Sequence, residues 1–472
     1  MILLGALAAL EDFEPRRPDE PAIEMRASEH AYVEARQFET IVRGRPWVPH
    51  RRVATVNAGT RFVVRGVVAS RDEAGCRGKD WYAVLPLGYV CSEHVRPTRR
   101  APDLSLALPV AQGKRLPHDY ATVRSEKTPS FRDEASVLAG TPSKLLRKGM
   151  SLIIDKTVQI GGTTYLRTSD GQLVPKNDVG WMGQGSDWQG VRLVNATEGP
   201  VFAWTFREGT QVLAAPKNDA AVLERLPARR RVPLWERDDA FWQVGEGRWI
   251  RAADLNEVHA IRRPRDVRSQ QWIDVDVGEQ VLVAYRGDQP VYATLISSGR
   301  GSPTPLGNYP VWAKVASMDM SNQGYEDEAY LVQGVPWVVL FQGHNALHGA
   351  YWHDRFGQRR SHGCVNLAPR DARWVFEWFG PALPAGWTGF LPPDLHHSPV
   401  VHVRDSSRPD AFTQERAWGP PDTEQERKRL VEAEERRALA AAPAVPVPSS
   451  PGEVVIPLRG FERAPSAAPP PS

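Results

Sequence analysis

Cysteine is scarce, three in 472 residues, too few for a disulfide scaffold, so the chain has to fold around apolar cores. Charge of one sign is scarce as well. Lys and Arg number 59 against 56 Asp and Glu, a net +3, which denies the chain the strong positive field that nucleic-acid binding uses. Basic clusters such as Arg99-Arg100 and Arg229-Arg230-Arg231 therefore read as solvated loops, and no nucleic-acid partner is expected. No apolar run approaches the ~18 residues of a membrane-spanning helix. Proline and glycine, by contrast, are plentiful at 41 and 38. They punctuate the chain into short elements, and the length suggests about three domains.

Met1 to Leu10 is a short apolar run with small residues that turns acidic at Glu11-Asp12. It reads as the remnant of an export signal without a basic start, the alternative being a frayed apolar terminus. Cys76 and Cys91 lie 15 positions apart, and if paired they would close a loop contributing about 3 kcal/mol in the chain-entropy account. Two separate buried thiols would have the same spacing. Pairing leaves Cys364 as the odd cysteine, which in an exported protein suggests a reactive thiol.

The stretch 344–366 gathers four of the twelve histidines around that cysteine. A thiol attacks carbonyls as thiolate, and a neighbouring imidazole is the usual means of producing one near neutral pH. Gly363 just before Cys364 allows a sharp turn that could aim the Gly363 and Cys364 N–H groups at a developing oxyanion. A rival reading makes His344-Asn345-Ala346-Leu347-His348 a zinc-protease motif. Asn stands there in place of the general base, and the flanking text is strand-like rather than helical.

From about 37 onward the text alternates like short strands. An aromatic-led strand, a glycine turn and a second strand recur three times: Trp81–Val84 with Gly88–Val90, Tyr165–Thr168 with Gly171–Val174, and Trp242–Val244 with Gly247–Ile250. This hairpin resembles the closing hairpin of bacterial SH3-like domains. Trp81, Trp181, Trp204, Trp242 and Trp249 read as core. The segmentation is a signal remnant and leader over 1–36, an SH3-like module over 37–100, a second β module over 120–200 and an SH3-like module over 206–262. A catalytic domain follows over 271–404, then a charged helix and Pro/Ala-rich disordered tail over 405–472. Within the catalytic domain strands follow one another without a helical stretch until Pro369–Phe379, where Ala372, Val375, Phe376 and Phe379 share a face. The fold class is mainly β, small barrel modules followed by a β-rich domain with one or two helices.

The pattern His348…Ser361-His362-Gly363-Cys364-Val365-Asn366 resembles the signature of the YkuD-type L,D-transpeptidases of bacterial cell walls, and Thr304-Pro305-Leu306-Gly307 resembles their Thr-Pro-x-Gly element. The likeness covers 271–385. It implies Cys364 as nucleophile, His348 as base with the Gly349 carbonyl orienting it, and Ser361, His362 and Gly363 as the turn. Tyr351, Trp352, His353 and Asn366 would line the cleft. Residues 349–360, 12 in all, make a shorter spacer than the commonest form of the motif, whereas His344 would give 16. The Leu347-His348-Gly349 context favours His348, with His344 capping or packing against the preceding strand. The resemblance further implies peptidoglycan stem peptides, and glycan, as partners, carbapenem-type inhibitors, no metal or organic cofactor, and a place in the periplasm or cell envelope. Transfer to an amine gives a 3→3 cross-link. Transfer to water or to a lipoprotein amine, or a catalytically inactive wall-binding protein, are the alternatives.

Overall fold

The structure is a computed structural model and describes residues 23–46, 52–71, 76–193, 201–300, 304–321, 331–392 and 394–409. The expected export signal and the charged helix and tail after 409 lie outside the described residues. Strands dominate, and among the described residues the α-helices are Glu134–Leu138 and Pro369–Trp378.

The hairpin repeat belongs to a larger repeated unit. In each copy the hairpin is followed by a single 3-10 turn, Ser92–His94, Lys176–Asp178 or Ala252–Asp254, and then by a closing strand. That strand returns to pair antiparallel with the opening strand of its own unit: Val95–Thr98 with Tyr32–Ala35, Val179–Trp181 with Asp119–Val123, and Leu255–His259 with Val201–Thr205. The turn glycines Gly88, Gly171 and Gly247 all have positive φ, the conformation that favours glycine. Cys76 and Cys91 are joined by a disulfide in the first unit, beside buried Trp81.

Three boundaries differ from the sequence reading. Tyr32–Ala35 is the opening strand of the first unit rather than leader, the third unit opens at Val201 rather than 206, and the stretch after Trp181 leaves the second unit. There Val191–Arg192 adds a strand to the catalytic domain against Tyr292 and Ala293. Each misplaced piece is short and finds its partner far along the chain, which local alternation does not report. Of the five tryptophans read as core, Trp81 and Trp204 are buried, but Trp181 is exposed.

The region read as the catalytic domain is built of two sheets and one helix. One sheet runs in the order Val191–Arg192, Gln289–Leu295, Val281–Arg286, Gln271–Asp276, Val400–Arg404, Gly307–Pro310. Its middle strands are buried along nearly their whole length, as expected when both faces are covered. The other contains Ala313–Ser321, Leu331–Gln342, Asn345–Gly349 and Val365–Leu367, with Trp387–Phe390 alongside Ala313–Ser321. This second sheet continues into the first unit, because Arg52–Val56 pairs with Trp387–Phe390. The helix Pro369–Trp378 buries Ala372, Val375 and Phe376, and Phe379 follows as its buried cap. Lys314, also buried, donates to the Phe379 and Pro381 carbonyls just past the helix end, and burial pushes its ammonium down to about 7.

Candidate active site

Strand alternation decides which side chains meet. Leu347, Val365 and Leu367 enter the main core together with the helix residues, so their neighbours in sequence must face the other way. The parallel register pairs Leu347 with Val365 and His348 with Asn366. Cys364 lies in the bend immediately before that strand, two residues ahead of Asn366, the partner of His348. His348 is 2% exposed, whereas Cys364 is partly open to solvent.

The turn that carries the sulfur is closed by its own side chains. Ser361 Oγ donates to the Cys364 carbonyl at 2.5 Å and accepts from the Gly363 N–H at 3.2 Å. The Gly363 N–H is thus engaged inside the turn, and an oxyanion would have to compete with Ser361 for it. Gly363 has φ +136°, and a Cβ there would lie 2.5 Å from Asn345 Oδ1, so only glycine fits. Its carbonyl accepts from buried Thr304 Oγ1 at 2.8 Å, and that hydroxyl in turn accepts from the Gly299 N–H at 3.0 Å. Ser297 and Asn366 exchange both backbone bonds, at 3.0 and 2.9 Å, and the Arg360 and Ser361 amides donate to the Ser298 carbonyl. Gln280 holds Ser298 by side chain and amide. Thr304, Asn345, Gln280 and Ser298 thus form the frame of the turn. The sequence marks Thr304 only as part of a family-like turn and Asn345 only within the rival zinc motif, and Gln280 and Ser298 carry no signal in it.

The Nδ1 of His348 faces the Gly349 carbonyl at 3.4 Å, which leaves Nε2 to take a proton. Gly349 has no room for a side chain, since a Cβ would meet Pro336 Cγ at 3.1 Å and Trp337 Cε3 at 3.3 Å. Burial pushes His348 down to about 4, against a weaker raising effect of the Gly349 bond. Burial also raises the Cys364 thiol above its ordinary 9.0. At neutral pH both shifts favour neutral thiol and neutral imidazole over the thiolate expected from the sequence. Removing water penalises both charges, and among the described residues no hydrogen bond joins the two side chains to compensate. The Sγ instead lies 3.7 Å from the His344 carbonyl.

His344 itself sits exposed in the turn between Leu331–Gln342 and Asn345–Gly349. His344 and His348 thus occupy a turn and a strand. The helical face that a His-x-x-x-His zinc motif needs is not formed.

The expected cleft residues divide. The Trp352 ring lies over His348, with centroids 5.8 Å apart and planes at 29°. His353 Nε2 lies 2.9 Å from the Asn366 carboxamide, and its Nδ1 accepts from the Arg355 N–H at 3.2 Å. Burial pushes His353 down to about 4 as well. His362, two residues before Cys364, is exposed. Tyr351 does not line open space. It is 2% exposed, stacks on Tyr120 of the second unit with centroids 3.7 Å apart, and donates to the Gln333 carbonyl. A tyrosine next to a candidate base reads as cleft in sequence, but here a partner more than 200 positions earlier covers it.

Comparison with known proteins bears on this geometry. Residues 270–391 match the family model of the YkuD L,D-transpeptidase catalytic domain. YciB of Bacillus subtilis (strain 168), named as an L,D-transpeptidase, is 29% identical over 125 residues, a match covering 22% of this chain and 59% of YciB. The chain thus spans less than two thirds of that relative's length. Among solved structures, the catalytic domain of the Enterococcus faecium L,D-transpeptidase is 24% identical, with a TM-score of 0.22, covering 24% of this chain and 94% of that one. The L,D-transpeptidase LdtMt1 in complex with imipenem is 16% identical, with a TM-score of 0.24, covering 44% of this chain and 99% of that one. Residues 270–391 are accordingly an L,D-transpeptidase catalytic domain of the YkuD family.

Proposed function

We propose that the protein is a cysteine-dependent peptidoglycan L,D-transpeptidase. The observation that supports the reading is the parallel register that pairs the buried His348 with Asn366, two residues after the partly exposed Cys364, within a domain of that family. The donor is a tetrapeptide stem. Sγ attacks the carbonyl of its third residue as the thiol proton passes to His348 Nε2. The C–N bond to the terminal residue then breaks, and the departing amine takes that proton back from the imidazole. The thioester on Cys364 is opened by an amine of a second stem, which loses a proton to His348 as the new amide forms and the thiol is restored. The product is a 3→3 cross-link. Because the Gly363 N–H is tied to Ser361, the Cys364 N–H is the better candidate donor to the oxyanion.

The Cys76–Cys91 disulfide fits an oxidising compartment and so supports action in the periplasm or cell envelope. The three repeated strand units are read as SH3-like modules that hold the domain against peptidoglycan. The imipenem complex of LdtMt1 supports acylation of Cys364 by carbapenems. Cell walls incubated with the protein, digested and analysed as muropeptides, are expected to gain cross-linked dimers. Cys364→Ala is expected to form none while still sedimenting with walls. Trimmed tripeptides without dimers would make the protein a carboxypeptidase, and no change with the wild type would overturn the enzyme reading.

A further inference from the structure

The loop 350–360, which joins the His348 strand to the Ser361–Cys364 turn, is gripped from outside the catalytic domain. At one point Asp354 accepts from Arg229 of the third unit, Nη1 to Oδ1 at 2.8 Å, and Arg229 also donates to the Asp354 carbonyl. Ser186, on the segment that leaves the second unit, donates to the same carboxylate. Three positions on, Asn256 of the third unit donates to the Gly357 carbonyl at 3.3 Å. Gly357 has φ +94°, and a Cβ there would lie 2.9 Å from Asn256 Oδ1. Asn256 is itself fixed by a bond to the Glu279 carbonyl at 2.8 Å.

Arg229 is held ready for this contact. Its φ is +63°, its amide donates to the Thr205 carbonyl at 2.7 Å, and its guanidinium lies 5.7 Å from the centroid of the Trp188 ring. Such a planar fork can serve a carboxylate and a carbonyl together, which an ammonium cannot. Immediately before Asp354 stands His353, which meets Asn366, the register partner of His348. The loop is only 12 residues long counted from Gly349 to Arg360, so displacement at 354 has little slack in which to dissipate.

We infer that the third unit, 201–259, is a working part of the active site, with Arg229 and Asn256 as positioning residues that hold the loop between base and nucleophile. The inference rests on the acyl-transfer reading for its role in turnover. It predicts a change in the alignment of bound donor rather than in its capture. A misplacement of about 1 Å in an aligned site is enough to cost on the order of 100-fold in rate.

The test uses the full chain and compares Arg229→Met, Arg229→Lys and, as a control, Arg248→Met. Arg248 makes an ion pair with Glu224 within the same unit. Arg229→Met is expected to lower kcat for muropeptide dimer formation about tenfold or more, with KM within twofold. It is also expected to raise hydrogen exchange over 350–360. Arg229→Lys recovers part of the loss, and Arg248→Met behaves as wild type. Wild-type kcat and unchanged exchange in Arg229→Met would overturn the inference, as would an equal loss in Arg248→Met. If the wild type itself makes no dimers, the proposed function fails. Hydrogen exchange over the loop and the rate of Cys364 acylation by imipenem or alkylation by iodoacetamide then decide the positioning role alone.

Discussion

The protonation state of the Cys364–His348 pair makes a prediction that separates two kinds of thiol enzyme. Burial raises the thiol above 9.0 and lowers the imidazole to about 4. At pH 7 this keeps the sulfur on the thiol side and leaves about 0.1% of the ring as imidazolium. A preformed ion pair would show the opposite, a thiolate that persists well below neutrality. The second-order rate of iodoacetamide alkylation of Cys364, read by intact mass, is therefore expected to climb about tenfold per pH unit, roughly 100-fold from pH 6.5 to 8.5. The disulfide-bonded Cys76 and Cys91 do not interfere. His348→Ala is expected to change this alkylation little, because the neutral ring is not what makes the thiolate. Turnover, in which the ring must accept the proton during attack, is expected to fall by about 10²–10⁴. A flat alkylation profile between pH 5 and 8 that becomes steep in His348→Ala would refute the neutral pair and the burial argument with it.

Other perturbations follow from named contacts. Gly363→Ala must either leave its positive φ or drive Asn345 away, so a loss of about 1–3 kcal/mol is expected in denaturant unfolding, with turnover falling further than stability explains. Glu279 accepts from the Glu257 N–H at 2.8 Å, and burial, with the Glu257 and Asp276 charges adding, raises it to about 7 from 4.5. The folded chain then holds this proton more tightly than the unfolded one. Its stabilising contribution is complete below about pH 4.5, is lost as pH rises through 7, and is flat above that. Glu279→Gln is expected to match the wild type near pH 5 and to exceed it at pH 8 by on the order of 2 kcal/mol, after discounting partial exposure. Equal pH dependence of thermal unfolding in the two proteins would refute this.

The chemistry was more legible than its support. Ser361-His362-Gly363-Cys364 is contiguous, and a strand partner only 16 positions earlier supplies His348, so the motif lies within one local stretch. The hairpin repeat was readable for the same reason, since two strands and a glycine turn fit within about ten residues. The closing strands find their partners more than 45 residues back, and the register of Arg52–Val56 on Trp387–Phe390 and the cover of Tyr351 by Tyr120 join positions hundreds of residues apart. No periodicity records such pairings. Arg229 was read as a solvated basic loop, and one face of its side chain is indeed near the surface. Its other role depends on Asp354, which nothing local to either residue announces. The protonation states were misread because burial, which sets them here, is a property of the assembled fold.

The pairing of Arg52–Val56 with Trp387–Phe390 also bears on how this protein is cut for study. A fragment beginning at residue 270 would keep every residue of the family match yet strip the outer neighbour from a strand that was never meant to meet water along its backbone. That bared margin would seek a replacement, and a second fragment molecule offers the nearest one. Inactivity or clumping of such a fragment would then speak of a torn sheet, while the thiol and its imidazole remained intact.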